Sequence, residues 1–255
     1  MSTQIRGQVL LDNDSDNSGV YVWVEQMGVS AFTNTDGEFL INIPPPVSQG
    51  GGGGFQGDLF MYFYLANYKL DSVRVEFVNG VPLASKGDLN EEGNVAGSIQ
   101  LSNLLNVKLS LNTKTISMSS TDSLRITISL TTPQIVPIIF VITKASNHDV
   151  IPLPAFFIKK VDSEESILRI NDIDPYFEFV DFVTLKEPVT YDTKVGFSEG
   201  ELPTGTYEII PYFKVRGVHP PSGLLKDFGE HVFEYHPDYL NLPFKRSPVY
   251  ITLTD

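Results

Sequence analysis

Three aspartates at alternate positions near the N-terminus are the residues best suited to bind a metal ion. Asp12, Asp14 and Asp16 lie in a polar loop, and carboxylate oxygens at this spacing suit a hard cation such as Ca²⁺. An EF-hand loop needs a glycine at its sixth position and a glutamate at its twelfth, where this chain has Asn17 and Trp23. The sequence therefore predicts either a calcium site or an acidic hairpin loop without a metal.

A strip of aromatic side chains is the second candidate site. Phe60, Tyr62 and Tyr64 alternate with a methionine and a phenylalanine along one predicted strand, and Tyr21 and Trp23 alternate with valines along another. If exposed, these five side chains form a platform for a carbohydrate or a protein partner. The alternative is that the strip packs under a neighbouring loop or under a second domain.

Two further patterns suggest catalysis or metal binding, and each is incomplete. Ser198 is the central residue of Gly-Phe-Ser-Glu-Gly, which matches the serine-hydrolase elbow. That motif works where a strand meets a helix, whereas strands are predicted here and no base and acid can be assigned beside the serine. In a strand, Glu230, Glu234 and His236 share a face, so they form either a metal site or a solvated polar surface. We expect no enzyme, with a serine hydrolase as the weakest alternative.

The composition excludes several classes of protein. The 255 residues include 31 acidic and 18 basic side chains, a formal charge of −13, and no cysteine. Without cysteine there is no disulfide framework, zinc–thiolate site or thiol nucleophile. A chain this acidic repels the phosphate groups of nucleic acid, so we expect no nucleic-acid partner.

No segment of the sequence has the features of a membrane anchor. The first residues lack an apolar core of signal-peptide length, and the longest apolar runs are far shorter than the ~20 residues of a transmembrane helix. We expect an extracellular or cell-envelope protein whose export signal is not present in this chain. A cytoplasmic location also fits these features.

The elements that position the candidate residues are predicted to be strands. Apolar residues alternate with polar ones in many short runs bounded by Asp, Asn and Gly, among them residues 20–25, 73–78, 107–111, 124–130 and 249–253. Helical periodicity is missing. This pattern predicts an all-β chain of two tandem antiparallel β-sandwich domains. A polar, glycine-containing segment, residues 86–97, places the domains at residues 1–103 and 104–255.

The N-terminal third has a recognisable order of motifs. A strand with Gly7 is followed by Gly-Val-Tyr-Val-Trp, by Thr-Asn-Thr-Asp-Gly-Glu-Phe at residues 33–39, and by Pro44. Over residues 4–78 this resembles the carboxypeptidase regulatory-like (transthyretin-like) β-sandwich modules and the related surface-protein B-repeat modules. Asp36 and Gly37 supply the positive φ angles that a tight hairpin turn needs. The resemblance implies a non-catalytic module.

The second predicted domain is similar to bacterial immunoglobulin-like surface domains. The similarity lies in the strand motifs at residues 119–130 and 202–209. The chain lacks the Cys–Trp–Cys core of antibody domains, so the similarity implies a β-sandwich and no more.

The last strand provides a means of assembly. Val249, Ile251 and Leu253 share one face at the end of the chain, and such a strand can complete the sheet of a neighbouring subunit or close its own domain. We therefore expect a non-catalytic structural or adhesive protein, such as a fibre or filament subunit or homo-oligomer, whose partners are other subunits or surface glycans. The alternative is a carbohydrate- or protein-binding module that uses the aromatic strip.

Overall fold

The structure is a computed structural model, and it describes residues 3–12, 14–49, 53–119, 123–142, 145–146, 149–150, 155–163, 167–170, 179–197 and 202–255. The described residues form strands β1 (Thr3–Leu11), β2 (Tyr21–Val24), β3 (Val29–Phe32), β4 (Glu38–Ile43), β5 (Gly57–Tyr64), β6 (Asp71–Val78), β7 (Val81–Pro82), β8 (Ser98–Leu101), β9 (Asn106–Leu111), β10 (Thr115–Ser117), β11 (Leu124–Thr131), β12 (Val136–Ile142), β13 (Ala145–Ser146), β14 (Asp149–Val150), β15 (Phe156–Lys160), β16 (Ile167–Ile170), β17 (Phe179–Leu185), β18 (Val189–Val195), β19 (Gly205–Pro211), β20 (Lys214–Val215) and β21 (Tyr250–Thr254).

Helix is confined to single turns in the part of the chain that the structure describes. These are the α-helix α1 (Ser222–Leu225) and two 3₁₀ turns, Pro46–Ser48 and Pro237–Asn241. Within the described residues, no helix has the length and apolar character needed to span a bilayer. The prediction of an all-β protein built from antiparallel sandwich sheets is confirmed.

The chain divides into two compact units, each built from three stretches of sequence. Unit 1 comprises Met1–Asn103, Val218–Val232 and Leu240–Lys245, and unit 2 comprises Leu104–Gly217, Phe233–Tyr239 and Arg246–Asp255. The sequence analysis uses one continuous division after residue 103, and its assignment of a carboxypeptidase regulatory-like and an immunoglobulin-like domain stays a prediction.

Unit 1 is a sandwich of two sheets. One has the strand order β4-β1-β8 and the other β3-β2-β5-β6-β7. Because side chains alternate along a strand, Ile5 and Ile41 of the first sheet face Val22, Phe63 and Val75 of the second, and all five are almost fully buried in one core. Most neighbouring strands are antiparallel, and β1 and β8 form a parallel pair.

Unit 2 also consists of several sheets, in which buried apolar residues alternate with more exposed residues along the strands. The largest has the order β10-β21-β19-β15-β16, and two others have the orders β18-β11-β9 and β17-β12-β20. Alternate residues of β11, namely Leu124, Ile126, Ile128 and Leu130, are fully buried. The period-two runs at residues 107–111 and 124–130 are therefore strands whose apolar face forms a core, as the sequence predicts.

The turn that joins β3 to β4 depends on one glycine and one asparagine. The Asn34 side-chain oxygen accepts hydrogen bonds from the backbone N–H groups of Asp36 and Glu38, at 3.1 and 2.9 Å. Gly37 has φ = 80°, and a Cβ there would lie 1.9 Å from the carbonyl oxygen of Val9. Only Gly37, and not Asp36, has the predicted positive φ, because the Asn34 side chain closes the turn and β3 and β4 enter different sheets.

Candidate functional site

Most of the aromatic strip is covered within unit 1. Tyr21, Trp23 and Tyr64 are only 4%, 6% and 1% exposed. We call residues 222–228, which lie over them, the cover segment. The ring of Phe228 in this segment is 4.7 Å from the ring of Tyr21, centroid to centroid, in an edge-on arrangement that aromatic pairs favour.

A small residue and a polar contact fit the cover segment to the strip. A Cβ on Gly223 would lie 3.1 Å from the indole ring of Trp23, so glycine allows the close approach. The Tyr21 hydroxyl donates a 2.5 Å hydrogen bond to a carboxylate oxygen of Asp227. Burial, and then the bond to this carboxylate, raises the pKa of Tyr21 to about 12.

The other two residues of the strip, Phe60 and Tyr62, are more exposed than the three that lie beneath the cover segment. Phe60 is 43% exposed, Tyr62 is half-buried, and their ring centroids are 6.1 Å apart. Exposure of the strip is thus limited to these two residues. For Tyr21, Trp23 and Tyr64 the structure shows the predicted alternative, in which the strip packs under another segment of the chain. A binding role for the strip stays a prediction.

The acidic loop holds the ammonium group of a lysine. Lys245 Nζ lies 2.9 Å from a carboxylate oxygen of Asp16 and 3.9 Å from one of Asp14. It also donates a 2.6 Å hydrogen bond to the backbone carbonyl oxygen of Asp16. Asp12 points elsewhere, since its carboxylate accepts a 2.7 Å hydrogen bond from the Gln100 side chain. Two of the three carboxylates that the sequence offers for Ca²⁺, those of Asp14 and Asp16, therefore lie beside a protein cation.

The electrostatics of the loop agree with this arrangement. The side-chain hydrogen bond from Ser18, and then that from Lys245, lowers the pKa of Asp16 to about 2. Among the described residues, no group of three or more His, Cys, Asp or Glu side chains is placed to hold a metal ion. Calcium binding by Asp12, Asp14 and Asp16 stays a prediction, and any Ca²⁺ would have to compete with the Lys245 ammonium.

Lys245 itself is fixed by Asn67. The Asn67 side chain accepts a 2.9 Å hydrogen bond from the Lys245 backbone N–H and donates one of 3.0 Å to the Lys245 carbonyl oxygen. The sequence analysis missed this pair. Nothing local in the sequence indicates it, because the two residues are separated by 178 positions.

The terminal strand lies inside its own sheet. β21 pairs in parallel with β10 and antiparallel with β19, so neither of its edges is free. Ile251 and Leu253 are each 1% exposed, and the carbonyl oxygen of Val249 accepts a hydrogen bond from the Ile209 N–H at 2.9 Å. This is the predicted alternative in which the strand closes its own unit, and pairing of these residues with a neighbouring subunit stays a prediction.

The remaining candidate residues do not form a site in the described part of the chain. Ser198 lies outside the described residues. Residues 230–236 form turns instead of a strand, so the expectation that Glu230, Glu234 and His236 share a strand face is wrong. His236 Nδ1 lies 3.3 Å from a carboxylate oxygen of Asp238.

Tyrosines in unit 2 use their hydroxyl groups to hold the fold together. The hydroxyls of Tyr212, Tyr235 and Tyr239 each donate to a backbone carbonyl oxygen, at 2.9, 2.5 and 3.0 Å. The three rings surround Phe157, with centroid distances of 6.4, 4.7 and 5.7 Å. Burial raises the pKa of Tyr239. These hydroxyls are therefore structural groups that cap peptide oxygens next to an apolar core.

A cleft that the sequence analysis did not predict opens where β3 and β4 separate. This edge cleft has a volume of about 450 Å³, and its lining includes Arg6, Phe32, Glu38 and Leu40. Phe32 is 56% exposed and Leu40 is 38% exposed. Arg6 and Glu38 are the charged residues that line the cleft, so it is neutral overall in a strongly acidic chain.

β4 presents an unpaired backbone edge to the cleft. It pairs with β1 on one side, and the bond from Val9 N–H to the Gly37 oxygen sets which peptide groups face β1. By antiparallel alternation, the N–H and C=O groups of Leu40 and Asn42 point away from β1. Among the described residues, these groups have no backbone partner.

β3 presents a second unpaired edge on the same side of unit 1. It pairs with β2 alone among the described strands, and the bond from Thr33 N–H to the Val20 oxygen sets its alternation. The outward peptide groups are those of Ser30 and Phe32. Period-two patterning indicates which face of a strand is buried, but it does not indicate which strand lies at an edge, so the sequence alone could not reveal this site.

Comparison with known proteins gives a limited result. Neither the protein-family models nor the curated proteins include a match to this chain. Two matching solved structures are those of BcpA, the major pilin subunit of Bacillus cereus, and of a variant of that subunit. Each is 12% identical with a TM-score of 0.29, and the match covers all of this chain and 70% of the pilin chain. A similarity this low has no bearing on function.

Proposed function

We propose that this chain is a non-catalytic structural or adhesive protein of the cell surface that acts as assembled copies joined by β-strand pairing. The observation that supports the proposal is the pair of unpaired strand edges, β3 and β4, that flank the edge cleft. Exposed edges with apolar side chains such as Phe32 are sites where another strand adds to a sheet.

The contacts made by Tyr21 and Lys245 also support a structural function. The Tyr21 hydroxyl is hydrogen-bonded to Asp227, and the Lys245 ammonium group forms an ion pair with Asp16. In an active site, groups with shifted pKa values face a cavity where a substrate can reach them. Here, by contrast, Asp16 and Tyr21, whose pKa values are shifted to about 2 and about 12, join separate segments of unit 1.

The edges carry few of the features that usually prevent pairing. Natural proteins protect exposed edges with lysine, proline, inward-pointing charge or a covering loop. β4 contains neither lysine nor proline, and its single charged residue is Glu38 at the first position. β3 consists of Val-Ser-Ala-Phe and has no charge. Both strands therefore remain suited to pairing.

The proposal is tested by the assembly state of the full chain. Sedimentation velocity over a hundredfold range of concentration, together with negative-stain electron microscopy, should show species larger than the monomer that increase with concentration. Protease treatment of intact source cells should degrade the protein, because the proposal places it on the outer surface. A monomer at every concentration would overturn the assembled function, and protection in intact cells would overturn the location.

A second candidate function rests on the patch formed by Phe60 and Tyr62. An exposed aromatic ring beside a half-buried tyrosine suits stacking against a sugar or a partner side chain. A glycan array probed with the wild type and with Phe60→Ala tests this function. Tyr250→Ala is the matched control, because it removes an exposed aromatic ring at a residue that lies neither in this patch nor on a proposed pairing edge.

A further inference from the structure

We propose that the free edge of β4 pairs antiparallel, about a two-fold axis, with the β4 edge of a second copy of this chain. This inference rests on the proposed function and makes it specific, because it names the strand at which two copies join. The three-stranded sheet of each copy would then continue into that of the other.

The backbone of β4 is self-complementary in one register. The outward groups of Leu40 and Asn42 each provide one donor and one acceptor. If Leu40 lies opposite Asn42 of the second copy, symmetry also places Asn42 opposite the second Leu40, and every one of these groups gains a partner. The two-fold axis then passes beside Ile41.

The neighbouring residue Glu38 fixes this register. Its N–H already donates to the Asn34 side chain at 2.9 Å, and its carbonyl oxygen accepts from the Asn34 N–H at 3.0 Å. Because the backbone groups of Glu38 are in use, pairing is restricted to the section of β4 beyond it. In the proposed register Glu38 faces Pro44 of the second copy, a residue that has no N–H to satisfy.

Charge favours a second copy at this place. The chain has a net charge of −13, so two copies repel each other over most of their surface. The edge cleft contains the cation Arg6 and the anion Glu38, and it is therefore a neutral site of approach. No two carboxylates lie opposite each other in the proposed register, and like charges opposite each other would destabilise a strand pair.

The position of β3 distinguishes a second copy from another extended peptide. β3 and β4 both border the edge cleft, so one side of the sandwich presents an edge of each sheet. A single peptide strand can pair with one edge, whereas a second copy brings two edges at the same spacing. Phe32, which is exposed on β3, would then be covered by the corresponding strand of the other copy.

The test compares two substitutions of exposed apolar residues. Leu40→Asp puts a carboxylate on both sides of the two-fold axis, and Val47→Asp makes the same change at a residue that is 80% exposed and outside the edge cleft. In sedimentation velocity, we expect the wild type and Val47→Asp to dimerise equally. Leu40→Asp should weaken the dimer by at least about tenfold. Circular dichroism confirms that each variant is folded.

Hydrogen exchange locates the contact, and the dependence of dimerisation on salt tests the argument from charge. Hydrogen exchange of the peptide that contains residues 38–43 should become slower as the wild-type concentration rises, and it should not do so in Leu40→Asp. Added NaCl should increase the dimer fraction, because it screens repulsion between two acidic chains.

The outcomes separate this inference from the proposed function. If the wild type associates and Leu40→Asp associates equally well, the β4 contact is wrong, while the proposal of an assembled structural protein stands. If exchange at residues 38–43 does not change with concentration although dimers form, the contact is also wrong. If the wild type is a monomer throughout, both proposals are overturned.

Discussion

The ammonium nitrogen of Lys245 lies 2.9 Å from a carboxylate oxygen of Asp16, although the two residues are far apart in the sequence. The pair joins the loop after β1 to the stretch Leu240–Lys245, which belongs to the same unit. The Lys245 side chain is 21% exposed and the Asp16 side chain is 49% exposed, so water reaches the pair mainly from the side of Asp16. This contact gives the acidic loop an internal counter-ion.

The ionisation of Asp16 should depend on its hydrogen-bond donors. Its pKa of about 2 lies below the ~3.9 of an unfolded aspartate, so its contribution to stability is present above about pH 4 and is lost as the pH falls through 2. In an NMR titration of the Asp16 carboxyl carbon, Ser18→Ala should raise the midpoint because it removes the principal donor. Lys69→Met, at an exposed lysine of the same unit, should leave it unchanged. An unchanged midpoint in Ser18→Ala would contradict the prediction.

Calcium should affect the protein more when the lysine is absent. Lys245→Met removes the ammonium and leaves Asp14 and Asp16 without their cation, so we expect a lower melting temperature in calcium-free buffer. Adding millimolar CaCl₂ should raise that temperature by more in Lys245→Met than in the wild type. Scanning calorimetry measures both effects, with Lys69→Met as the control. Equal calcium responses in the three proteins would contradict competition for one site.

The Tyr21 hydroxyl should stabilise the protein until the pH becomes strongly alkaline. Tyr21→Phe removes the donor to Asp227, and loss of a hydrogen bond to a charged group should lower the free energy of unfolding by about 1.5–3 kcal/mol at neutral pH. Urea unfolding measures this difference. Tyr250→Phe is the control, because Tyr250 is 45% exposed.

The same contact has a defined pH dependence. The folded pKa of Tyr21 is about 12, above the ~10 of an unfolded tyrosine, so the neutral hydroxyl is favoured in the folded state. Its contribution is complete below about pH 10 and is lost as the pH rises through 12. The difference in stability between the wild type and Tyr21→Phe should therefore shrink over that interval. A difference that stays constant to pH 12 would show that the hydroxyl is not the cause.

The fit of the cover segment should be visible in tryptophan fluorescence. Trp23 is the one tryptophan of the chain and is 6% exposed, so its emission reports directly on this contact. Gly223→Val adds a Cβ that would lie 3.1 Å from the indole and two methyl groups beyond it, and we expect a red-shifted emission and faster acrylamide quenching. Gly53→Ala is the control, because among the described residues no heavy atom other than those of its chain neighbours lies within 4 Å of a Cβ at that position. Unchanged emission in Gly223→Val would contradict close packing over Trp23.

The strands of unit 1 were predictable because their information is local. Alternation of apolar and polar residues indicates both the strand and its buried face, as with Ile41 in β4 and Val22 in β2. The turn before β4 was predictable for the same reason, since Gly37 must adopt a positive φ. These features depend on neighbours within a few residues.

The contacts made by the candidate residues were not predictable, because they depend on segments distant in the chain. Nothing near Tyr21 indicates that residues 222–228 will lie over it, and nothing near Asp16 indicates Lys245. Both patterns look like binding sites in a single sequence, since an aromatic strip and an acidic loop have the same composition whether a ligand or the chain itself fills them. The edges of β3 and β4 depend on strand order, which alternation does not encode.

The discontinuity of unit 1 has a consequence for protein synthesis. The first 103 residues leave the ribosome well before the cover segment exists, so Tyr21, Trp23 and Tyr64 lack their cover at that stage. At ~5–20 residues per second, the ribosome needs roughly 6–25 s more to reach Phe228. During that interval the nascent chain displays an aromatic surface that suits chaperones, and a gene fragment ending at residue 103 would display it permanently.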